Sequence, residues 1–444
     1  MSIITVSVLV LLSIVLIILL TSVVRLNAFI SLFAVSLILA IATLPEQSMV
    51  EVLKQGFGNT MASIGFLIIF GAIIAVVLDQ TGGAVRIAEF ILTKTGTRNA
   101  ASAMGLSGFI AGMPIFCDSG FIIMSGLARS FSTKAKVALP FVAFVLATSL
   151  YAVHCLIPTH PGALAATGII EANLGNLILL STLAAIPGAL AAYWWIKWKT
   201  RGMVFHENVV NQAETATLKT TNLPPVGLSF LPMLVPVLLI AVGSLLTVFR
   251  APETNVLVHT LVFLGQPVIA LLSGVLFSFL LIRKPKIDTL NNLFEGAIQK
   301  AGPILIVTAA GGMFGLVIKE TGIGAYAGSL LLETGMGVAV PFLIALLLKT
   351  AQGSSTVAII TAASFVAPML PALGLDSETG KLLAMLSMGA GSMMVSHAND
   401  SYFWVVSRFS GISMNTTLKI FTSATAVMGI TVFACVWIAS QLIL

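Results

Sequence analysis

One stretch limits the possible fold more than any other. It runs from Gly337 to Pro371, an apolar run broken near its middle by Gln352-Gly353-Ser354-Ser355-Thr356. Each apolar arm has about 13 to 15 residues and would be roughly 20 Å long as a helix, whereas the hydrocarbon core of a bilayer is about 30 Å thick. A continuous helix would carry a polar, glycine-containing break in mid-bilayer, where free backbone groups are tolerated only beside protein or water. The pattern therefore predicts a re-entrant hairpin.

The composition places this hairpin in a membrane. Of the 444 residues, 58% are hydrophobic and 9% are charged, whereas about 25% of residues in soluble globular proteins are charged. The chain is therefore predicted to be a polytopic helical membrane protein. The net charge of +6 is explained by Lys and Arg on the cytoplasmic side, so it indicates no nucleic-acid partner. The three cysteines are widely spaced in apolar segments and predict neither a disulfide framework nor a metal site.

The polar tip of the hairpin predicts an anion site. Ser354, Ser355 and Thr356 are residue types that cap helix N-termini, so the second arm would begin at the tip, just after Gly353. Its free N–H groups and the positive end of its dipole would then point toward the middle of the membrane. This arrangement favours a bound anion.

The two halves of the chain are similar to each other, which predicts a duplicated architecture. Six of the thirty residues in 54–83 are identical to their counterparts in 294–323. A first tip, Cys117-Asp118-Ser119-Gly120, matches Gly353-Ser354-Ser355-Thr356, and a break with Thr159-His160 matches one with Ser396-His397. Duplicated broken segments in matching positions are typical of secondary transporters with inverted repeats and a site near the membrane midplane.

We therefore predict an all-α polytopic membrane protein with two inverted-topology repeats, each with a re-entrant helical hairpin and a broken transmembrane helix. The first repeat spans 1–196, with its hairpin at about 100–132 and its broken helix at about 137–170. Residues 197–225 form a cytoplasmic linker, and the second repeat spans 226–444, with its hairpin at about 337–371 and its broken helix at about 382–409. With both termini periplasmic or exterior, 17 of the 22 Lys and Arg face the cytoplasm, as the positive-inside rule requires.

Further apolar runs predict other helices. Ile64–Leu78, Val256–Ile282 and Pro303–Ile318 are candidate membrane segments, and Ile287–Lys300 is amphipathic. Gly311-Gly312 does not match the spacing of a phosphate-binding loop, so we expect these glycines to permit close helix packing.

The first half offers several residues for chemistry. A carboxylate at membrane depth, Asp118, suggests ion or proton handling, although it would equally suit a helix cap. Ser119, with Gly120 beside it, is a candidate hydrogen-bond donor to substrate. In the break, Thr159 and His160 would face the substrate, with His160 binding hydroxyls or relaying a proton, or serving only as a structural imidazole. His154 lies farther from the proline turn and favours a structural role.

The second half has the densest polar cluster, Ser396-His397-Ala398-Asn399-Asp400-Ser401. His397 and Asn399 suit polyol hydroxyls and Asp400 a proton, whereas the alternative is that Asn399 and Asp400 cap the following helix. Lys349, four residues before Gly353, would either add positive potential for an anion or extend its side chain toward water. No His/Glu metal motif or nucleophile elbow is present in the sequence.

Four motifs in order over nearly the whole chain resemble the gluconate permease family, the gluconate:proton symporters of the ion transporter superfamily. They are Gly112-Met113-Pro114-Ile115-Phe116-Cys117-Asp118-Ser119-Gly120-Phe121, Val153-His154-Cys155-Leu156-Ile157-Pro158-Thr159-His160-Pro161-Gly162, Gln352-Gly353-Ser354-Ser355-Thr356-Val357-Ala358, and Ser396-His397-Ala398-Asn399-Asp400-Ser401-Tyr402-Phe403-Trp404. The sequence differs from the usual family pattern at Thr159 and Ser119, both in the predicted pocket. These differences leave the exact substrate open.

The resemblance implies proton-coupled uptake of gluconate or a related sugar acid across the bacterial inner membrane. It also implies a homodimer in which a hairpin-bearing domain moves as an elevator against a scaffold. The predicted partners are a small anionic substrate and the lipid bilayer, with no cofactor and no metal. D-serine or D-glycerate uptake by the same mechanism, and sodium coupling, remain alternatives.

Two other classes of function are weighed against transport. A channel would favour a continuous pore lined by rings of charges or carbonyls, whereas this chain has one duplicated central cluster. An intramembrane enzyme would need a third group to orient the Ser and His residues, and no such group is spaced recognisably. We therefore predict a transporter and no enzyme.

Overall fold

The computed structural model describes residues 3–95, 100–203, 223–248, 256–283, 286–322, 336–397 and 400–443. These residues form helices and turns and contain no strand, as predicted for an all-α chain. Within them, six helices are long and apolar enough to cross a membrane, or eight if each of two bent helix pairs counts as one span. The fold is that of a polytopic membrane protein.

The described part of the first half contains nine helices. They are α1 (Ile3–Ile18, with a π-helical turn at Leu19–Val23), α2 (Ala28–Thr43), α3 (Glu46–Gln80), α4 (Gly83–Thr95), α5 (Ala100–Gly112), α6 (Cys117–Ala135), α7 (Leu139–Leu156), α8 (Pro161–Ile169) and α9 (Leu174–Lys199). Helix boundaries fall at the predicted first tip, between α5 and α6, and at the predicted first break, between α7 and α8.

The described part of the second half also contains nine helices. They are α10 (Val226–Val248), α11 (Val256–Leu264), α12 (Pro267–Phe279), α13 (Ile287–Glu320), α14 (Ala339–Gln352), α15 (Ser355–Val366, followed by 3-10 turns at Ala367–Met369 and Pro371–Leu373), α16 (Glu378–Ser392), α17 (Ser401–Ser410) and α18 (Met414–Ile443, with a π-helical turn at Leu418–Thr422). The second tip separates α14 from α15, and the second break separates α16 from α17. Most of the predicted linker, 204–222, lies outside the described residues.

Four predicted segments have different bounds in the structure. The predicted segment Val256–Ile282 contains two helices, α11 and α12, which meet at an angle of 74° where Gln266 precedes Pro267, a residue suited to the first turn of a new helix. The amphipathic run Ile287–Lys300 and the run Pro303–Ile318 are instead one helix, α13, with Pro303 inside it. Helix α3 begins at Glu46, well before the predicted Ile64, and is bent by 42° between Ala62 and Gly65.

Helices α3 and α13 pack closely because glycines remove side chains from their contact. A Cβ atom on Gly56 of α3 would lie 2.6 Å from the Cα of Met313, and one on Gly312 of α13 would lie 1.8 Å from Thr60 Oγ1. On another side of α13, a Cβ on Gly311 would lie 2.7 Å from the hydroxyl oxygen of Ser364 in α15. The prediction that Gly311-Gly312 permits close packing is confirmed, and α13 joins α3 to the helix that begins at the second tip.

Substituting Gly56 with Ala should destabilise this contact. The added methyl group meets backbone, which cannot rotate away, and overpacking of this kind costs about 1 to 3 kcal/mol. Thermal unfolding of the detergent-purified protein should therefore begin at a lower temperature for Gly56→Ala. The matched control is Gly58→Ala on the same helix, where a Cβ meets nothing within 4 Å. Equal unfolding temperatures for the two variants would contradict the packing argument.

Candidate functional site

Both tips and the second break meet at one cavity of about 500 Å³. The lining comes from the N-termini of α2, α6, α8, α15 and α17, from α7, and from one side of α13. The polar and charged lining residues are Asn27, Asp118, Ser119, Tyr151, His154, Lys300, Ser354, Ser355, Thr356, Asp400, Ser401 and Tyr402. The cavity therefore gathers residues from both halves of the chain, as the duplicated motifs predicted.

The second tip presents a helix N-terminus to the cavity. Gly353 ends α14 with a φ of +83°, a left-handed conformation that favours glycine. Ser354 is the N-cap of α15, where its hydroxyl accepts a hydrogen bond of 3.3 Å from the N–H of Val357. Ser355 and Thr356 follow in the first turn and also line the cavity. The prediction that α15 begins at the tip with a Ser cap is confirmed.

The first tip is built differently. Helix α6 begins at Cys117 with Phe116 as its N-cap residue, so Asp118 and Ser119 lie in the first turn. The expectation that Asp118 caps a helix starting near Ser119 is therefore wrong, because the helix begins two residues earlier. Oδ1 of Asp118 is buried and has no hydrogen-bond partner among the described residues. A carboxylate with an unused oxygen thus faces the same cavity as the α15 N-terminus.

Four groups contact the carboxylate oxygens of Asp400 as hydrogen-bond donors or as a cation. Its Oδ1 accepts a 3.0 Å hydrogen bond from the N–H of Tyr402, which makes it the N-cap of α17 as one of the two interpretations predicted. Its Oδ2 accepts hydrogen bonds from the hydroxyls of Ser396, at 2.5 Å, and Tyr151, at 3.4 Å. The same oxygen lies 2.6 Å from Nζ of Lys349. Asp400 is therefore a fully engaged carboxylate at the edge of the cavity.

Lys349 lies inside the protein and not at a water interface. Its side chain is completely buried, and its ammonium group contacts Asp400 and donates to the backbone carbonyl of Gly353. The interpretation that Lys349 extends toward water is wrong, because the ion pair and the carbonyl satisfy its charge locally. Lys349 joins the end of α14 to the start of α17, and Asp400 stands between it and the cavity.

The first break contributes through His154 more than through its proline turn. His154 lines the cavity, and its Nε2 lies 3.3 Å from the hydroxyl oxygen of Thr356 at the second tip. His160 packs behind it, with ring centroids 4.9 Å apart, and is not among the cavity-lining residues. Thr159 donates a 2.7 Å hydrogen bond to the carbonyl of Met113 and so ties the break to the first tip.

Some of the predicted site residues line the cavity and others do not. The structure brings together at the cavity Asp118, Ser119, Ser354, Ser355, Thr356 and Asp400. Gly120 packs against Leu150, where a Cβ would come within 2.9 Å of that side chain, and Gly353 shapes the turn behind Ser354. His397 is half-buried beside the second break and is not part of the lining. Asn399 lies outside the described residues, so its role remains a prediction.

Sequence reasoning missed four polar cavity residues, Asn27, Tyr151, Lys300 and Tyr402, and undervalued His154. Tyr151 and Tyr402 stack on each other with centroids 5.3 Å apart, and both lie within apolar runs that gave no polar signal. Lys300 lines the cavity from α13, lies over the Phe116 ring at 5.7 Å, and is 3.5 Å from Asp79 of α3. Only the spacing of the Tyr and His residues one turn apart in α7, at 151 and 154, could have indicated a shared polar face.

A second cavity, of about 510 Å³, lies at the other end of α15. Its lining comes from α3, the second half of α13, the end of α8 and the turns that follow α15, and its charged residues are Glu171, Lys319, Asp376 and Lys381. Within the described residues, no cluster of three or more His, Cys, Asp or Glu could hold a metal ion.

Comparisons with known proteins agree with this architecture. The family described as GntP family permease matches residues 4–443. The inner membrane permease YgbN of Escherichia coli is 29% identical over 93% of this chain and 93% of its own length. The high-affinity gluconate transporter of the same organism is 29% identical over 89% of this chain and 90% of its own. These relatives are permeases and not enzymes, which confirms the predicted class.

A solved structure shares the fold. The MtrF protein of Neisseria gonorrhoeae, described as illuminating a class of antimetabolite efflux pumps, superimposes with a TM-score of 0.63 over 89% of this chain and 86% of its own. The sequence identity is 15%. This similarity supports the fold and carries no statement about substrate.

The ion pair at the second break makes a prediction about stability. Replacing one partner by Lys349→Met or Asp400→Asn leaves the other charge buried and unpaired, which typically costs about 3 to 5 kcal/mol. Both single variants should therefore lower the unfolding temperature of the purified protein strongly. The double variant Lys349→Met/Asp400→Asn removes both charges and should recover most of the loss. Additive losses in the double variant would show that the two side chains do not act as a pair.

Proposed function

Because this chain belongs to the GntP family of permeases, we propose that it is a secondary transporter that takes up gluconate or a related small hydroxy acid together with protons. The observation that carries the proposal is the meeting of two helix N-termini, with their Ser and Thr hydroxyls, in one cavity. The gluconate named for one relative supplies the substrate class, and D-glycerate or D-serine would fit the same chemistry.

The substrate carboxylate would bind at the α15 N-terminus. Free N–H groups and the positive end of a helix dipole form a general anion site. Ser355 and Thr356 line the cavity beside this N-terminus and offer hydroxyls that can donate to an oxyanion. His154 and Tyr151 would then address the substrate hydroxyls from α7. His160 supports the ring of His154 from behind, which explains how it contributes from outside the lining.

Charge in the cavity favours proton coupling. Asp118 and Asp400 both line it, and Lys349 compensates only Asp400 directly. An anionic substrate that enters this space meets an uncompensated carboxylate in a setting where charges are poorly screened. Uptake of a proton with the substrate removes that repulsion. Sodium held by backbone carbonyls is the alternative, and transport in sodium-free medium distinguishes the two.

The fold supports a transport cycle in which the site is exposed to each side in turn. We take the tips as re-entrant hairpins of two inverted repeats, with the termini outside. With this orientation, Asn27 and Lys300 would lie toward the cytoplasm, and the substrate cavity that they line would open on that side. The second cavity lies at the far end of α15, whose 12 residues correspond to about 18 Å.

We propose that the hairpin-bearing helices move as an elevator along α3 and α13 and carry the site toward the second cavity. The protein would work as a homodimer in the inner membrane. A disulfide engineered between α13 and α15 should block transport reversibly. Native mass spectrometry would test the dimer.

Transport itself is tested with purified protein in liposomes. An inward pH gradient without sodium should drive accumulation of radiolabelled gluconate, and unlabelled gluconate inside should accelerate counterflow. Saturable counterflow would also distinguish a carrier from a channel. If gluconate were not taken up but D-glycerate or D-serine were taken up under the same gradient, that compound would replace gluconate as the proposed substrate. Uptake only with sodium would refute proton coupling.

Ser354 provides a direct test of the binding mode. Ser354→Ala should weaken substrate binding about tenfold, because one hydrogen bond to a charged group is lost at the tip. Ser354→Thr keeps the hydroxyl and should bind nearly as wild type does. Ser364→Ala, on the same helix but away from the cavity, is the matched control. Ligand-induced thermal shifts measure the affinities. If Ser354→Ala bound substrate with unchanged affinity, Ser354 would serve only as the N-cap of α15 and not as a substrate ligand.

A further inference from the structure

We propose that Asp118, and not Asp400, carries the coupling proton, and that one proton accompanies each monovalent substrate anion. This inference rests on the proposed function and makes it more specific. It begins from a contrast between the two acids that face the cavity. They occupy similar places at helix N-termini, yet their surroundings differ.

Asp400 is surrounded by groups that favour its charged form. The ammonium group of Lys349, at 2.6 Å, forms a buried ion pair with it. The hydroxyls of Ser396 and Tyr151 and the N–H of Tyr402 also donate to its oxygens. Hydrogen bonds and an opposite charge both stabilise a carboxylate relative to its acid. Protonating Asp400 would break this network and leave Lys349 as an unpaired buried cation.

Asp118 lacks such support. Its Oδ1 is buried without a hydrogen-bond partner among the described residues, and none of the ion pairs formed by those residues involves it. Protonation gives this oxygen, or its partner oxygen, a hydrogen that can be donated into the cavity. Asp118 can therefore accept and release a proton without disturbing an ion pair.

The position of Asp118 links its charge to substrate binding. It lies in the first turn of α6, where a negative side chain interacts favourably with the positive end of the helix dipole. A substrate carboxylate in the same cavity would compete for that dipole and would be repelled by the charged Asp118. Once Asp118 is protonated, the N-terminus of α6 is free to act together with that of α15 on the substrate.

Several other ionisable groups lie near Asp118, and the charged ones among them have other partners. Around it stand Asp400 and Tyr402 of α17, Lys349 of α14, Cys117 of its own helix, Tyr151, His154 and Cys155 of α7, and Lys300 of α13. Lys349 is paired with Asp400, and Lys300 lies 3.5 Å from Asp79, so neither is committed to Asp118. His154 faces Thr356 at the second tip and is a substrate ligand in the proposed function.

The proton and charge balance follows from this arrangement. A hydronium ion on the side of uptake transfers a proton to Asp118, so that one of its O–H bonds breaks, one forms on the carboxylate and water is released, and the anion then binds. On the other side the anion leaves and the proton returns to water. One negative and one positive charge move together, so the cycle transfers no net charge. The pH gradient alone should then drive accumulation, about tenfold for each pH unit.

The first experiment uses wild-type protein in liposomes and gluconate as the probe. A pH gradient, with potassium and valinomycin clamping the membrane potential at zero, should drive accumulation. An inside-negative potassium diffusion potential at equal pH should not. Accumulation driven by the potential alone would overturn the stoichiometry of one proton. Absence of any uptake or counterflow under both conditions would be a failure of the proposed function and not of this inference.

The second experiment assigns the proton to a residue. Asp118→Asn keeps the shape of the side chain and removes the charge. It should retain gluconate counterflow at equal pH, and the rate of this counterflow should no longer vary with pH. It should lose gradient-driven accumulation, so that the ratio of internal to external gluconate falls to one. Asp288→Asn is the matched control, because Asp288 also lies in the first turn of a helix, α13, but is exposed and lines neither cavity, and this variant should accumulate as wild type does. Gradient-driven accumulation by Asp118→Asn equal to that of wild type would overturn the assignment.

A third variant protects the conclusion against loss of folding. Asp118→Glu keeps an acid at the site and should retain gradient-driven uptake with a displaced pH profile. If Asp118→Asn did not fold, wild-type pH dependence in Asp118→Glu would overturn the assignment, and a displaced profile would support it. Proton-coupled uptake by the double variant Lys349→Met/Asp400→Asn would independently support Asp118 as the site of the coupling proton. If the double variant folded and showed counterflow but no proton-driven accumulation, the coupling proton would instead be assigned to Asp400.

Discussion

The structure depends on how it satisfies backbone polar groups where helices stop inside an apolar protein. Lipid offers no hydrogen bonds, so each interruption must find partners within the protein or in a water-filled cavity. At the second break, the N–H of Ser396 donates to Thr425 and its carbonyl accepts from Thr422, both in α18. At the tips, Thr159 satisfies the carbonyl of Met113, and Lys349 that of Gly353. Side chains therefore satisfy backbone groups at both tips and at the second break.

The same requirement concentrates chemistry in a small volume. A helix that begins inside the protein leaves its first N–H groups free for a ligand. Five helices, α2, α6, α8, α15 and α17, begin at the cavity, and the N-termini of α6, α15 and α17 supply most of its polar lining. The α17 N-terminus is occupied by Asp400, whereas the α15 N-terminus has only the hydroxyl of Ser354 as a cap. The α6 N-terminus has no side-chain cap but carries Asp118 in its first turn. Of these three N-termini, that of α15 is therefore the one with no carboxylate in its cap or first turn, which favours an external anion there.

Much of this arrangement could be predicted from local sequence. The length of each arm and the Ser and Thr at Gly353-Ser354-Ser355-Thr356 were sufficient to locate the second tip and its helix start, and polar residues in apolar runs located both breaks. The bend between α11 and α12 also had a local signal, Gly265-Gln266-Pro267, that hydropathy alone concealed. Helix α13 continues through Pro303 because packing against α3 outweighs the missing hydrogen bond.

The remainder depended on contacts between distant residues. Lys349 and Asp400 are 51 positions apart, and neither residue alone reveals that the other will be its partner. A lysine in an apolar run is ordinarily expected to reach water. Tyr151 and His154 belong to a helix that is buried along its length, so no periodicity distinguished the face that meets the cavity. Three-dimensional placement was needed to separate these residues from the rest of the core.

The two halves also divide their chemistry unequally. The match of Cys117 with Gly353 places Met113 opposite Lys349, and the match of His160 with His397 places Ala163 opposite Asp400. The ion pair of the second half thus has only apolar counterparts in the first. Conversely, Asp118 stands opposite Ser354, so the first tip has an acid where the second has a hydroxyl. At these positions the two halves therefore differ, so that the second half has a carboxylate neutralised by a buried ion pair and the first has a carboxylate outside the ion pairs of the described residues.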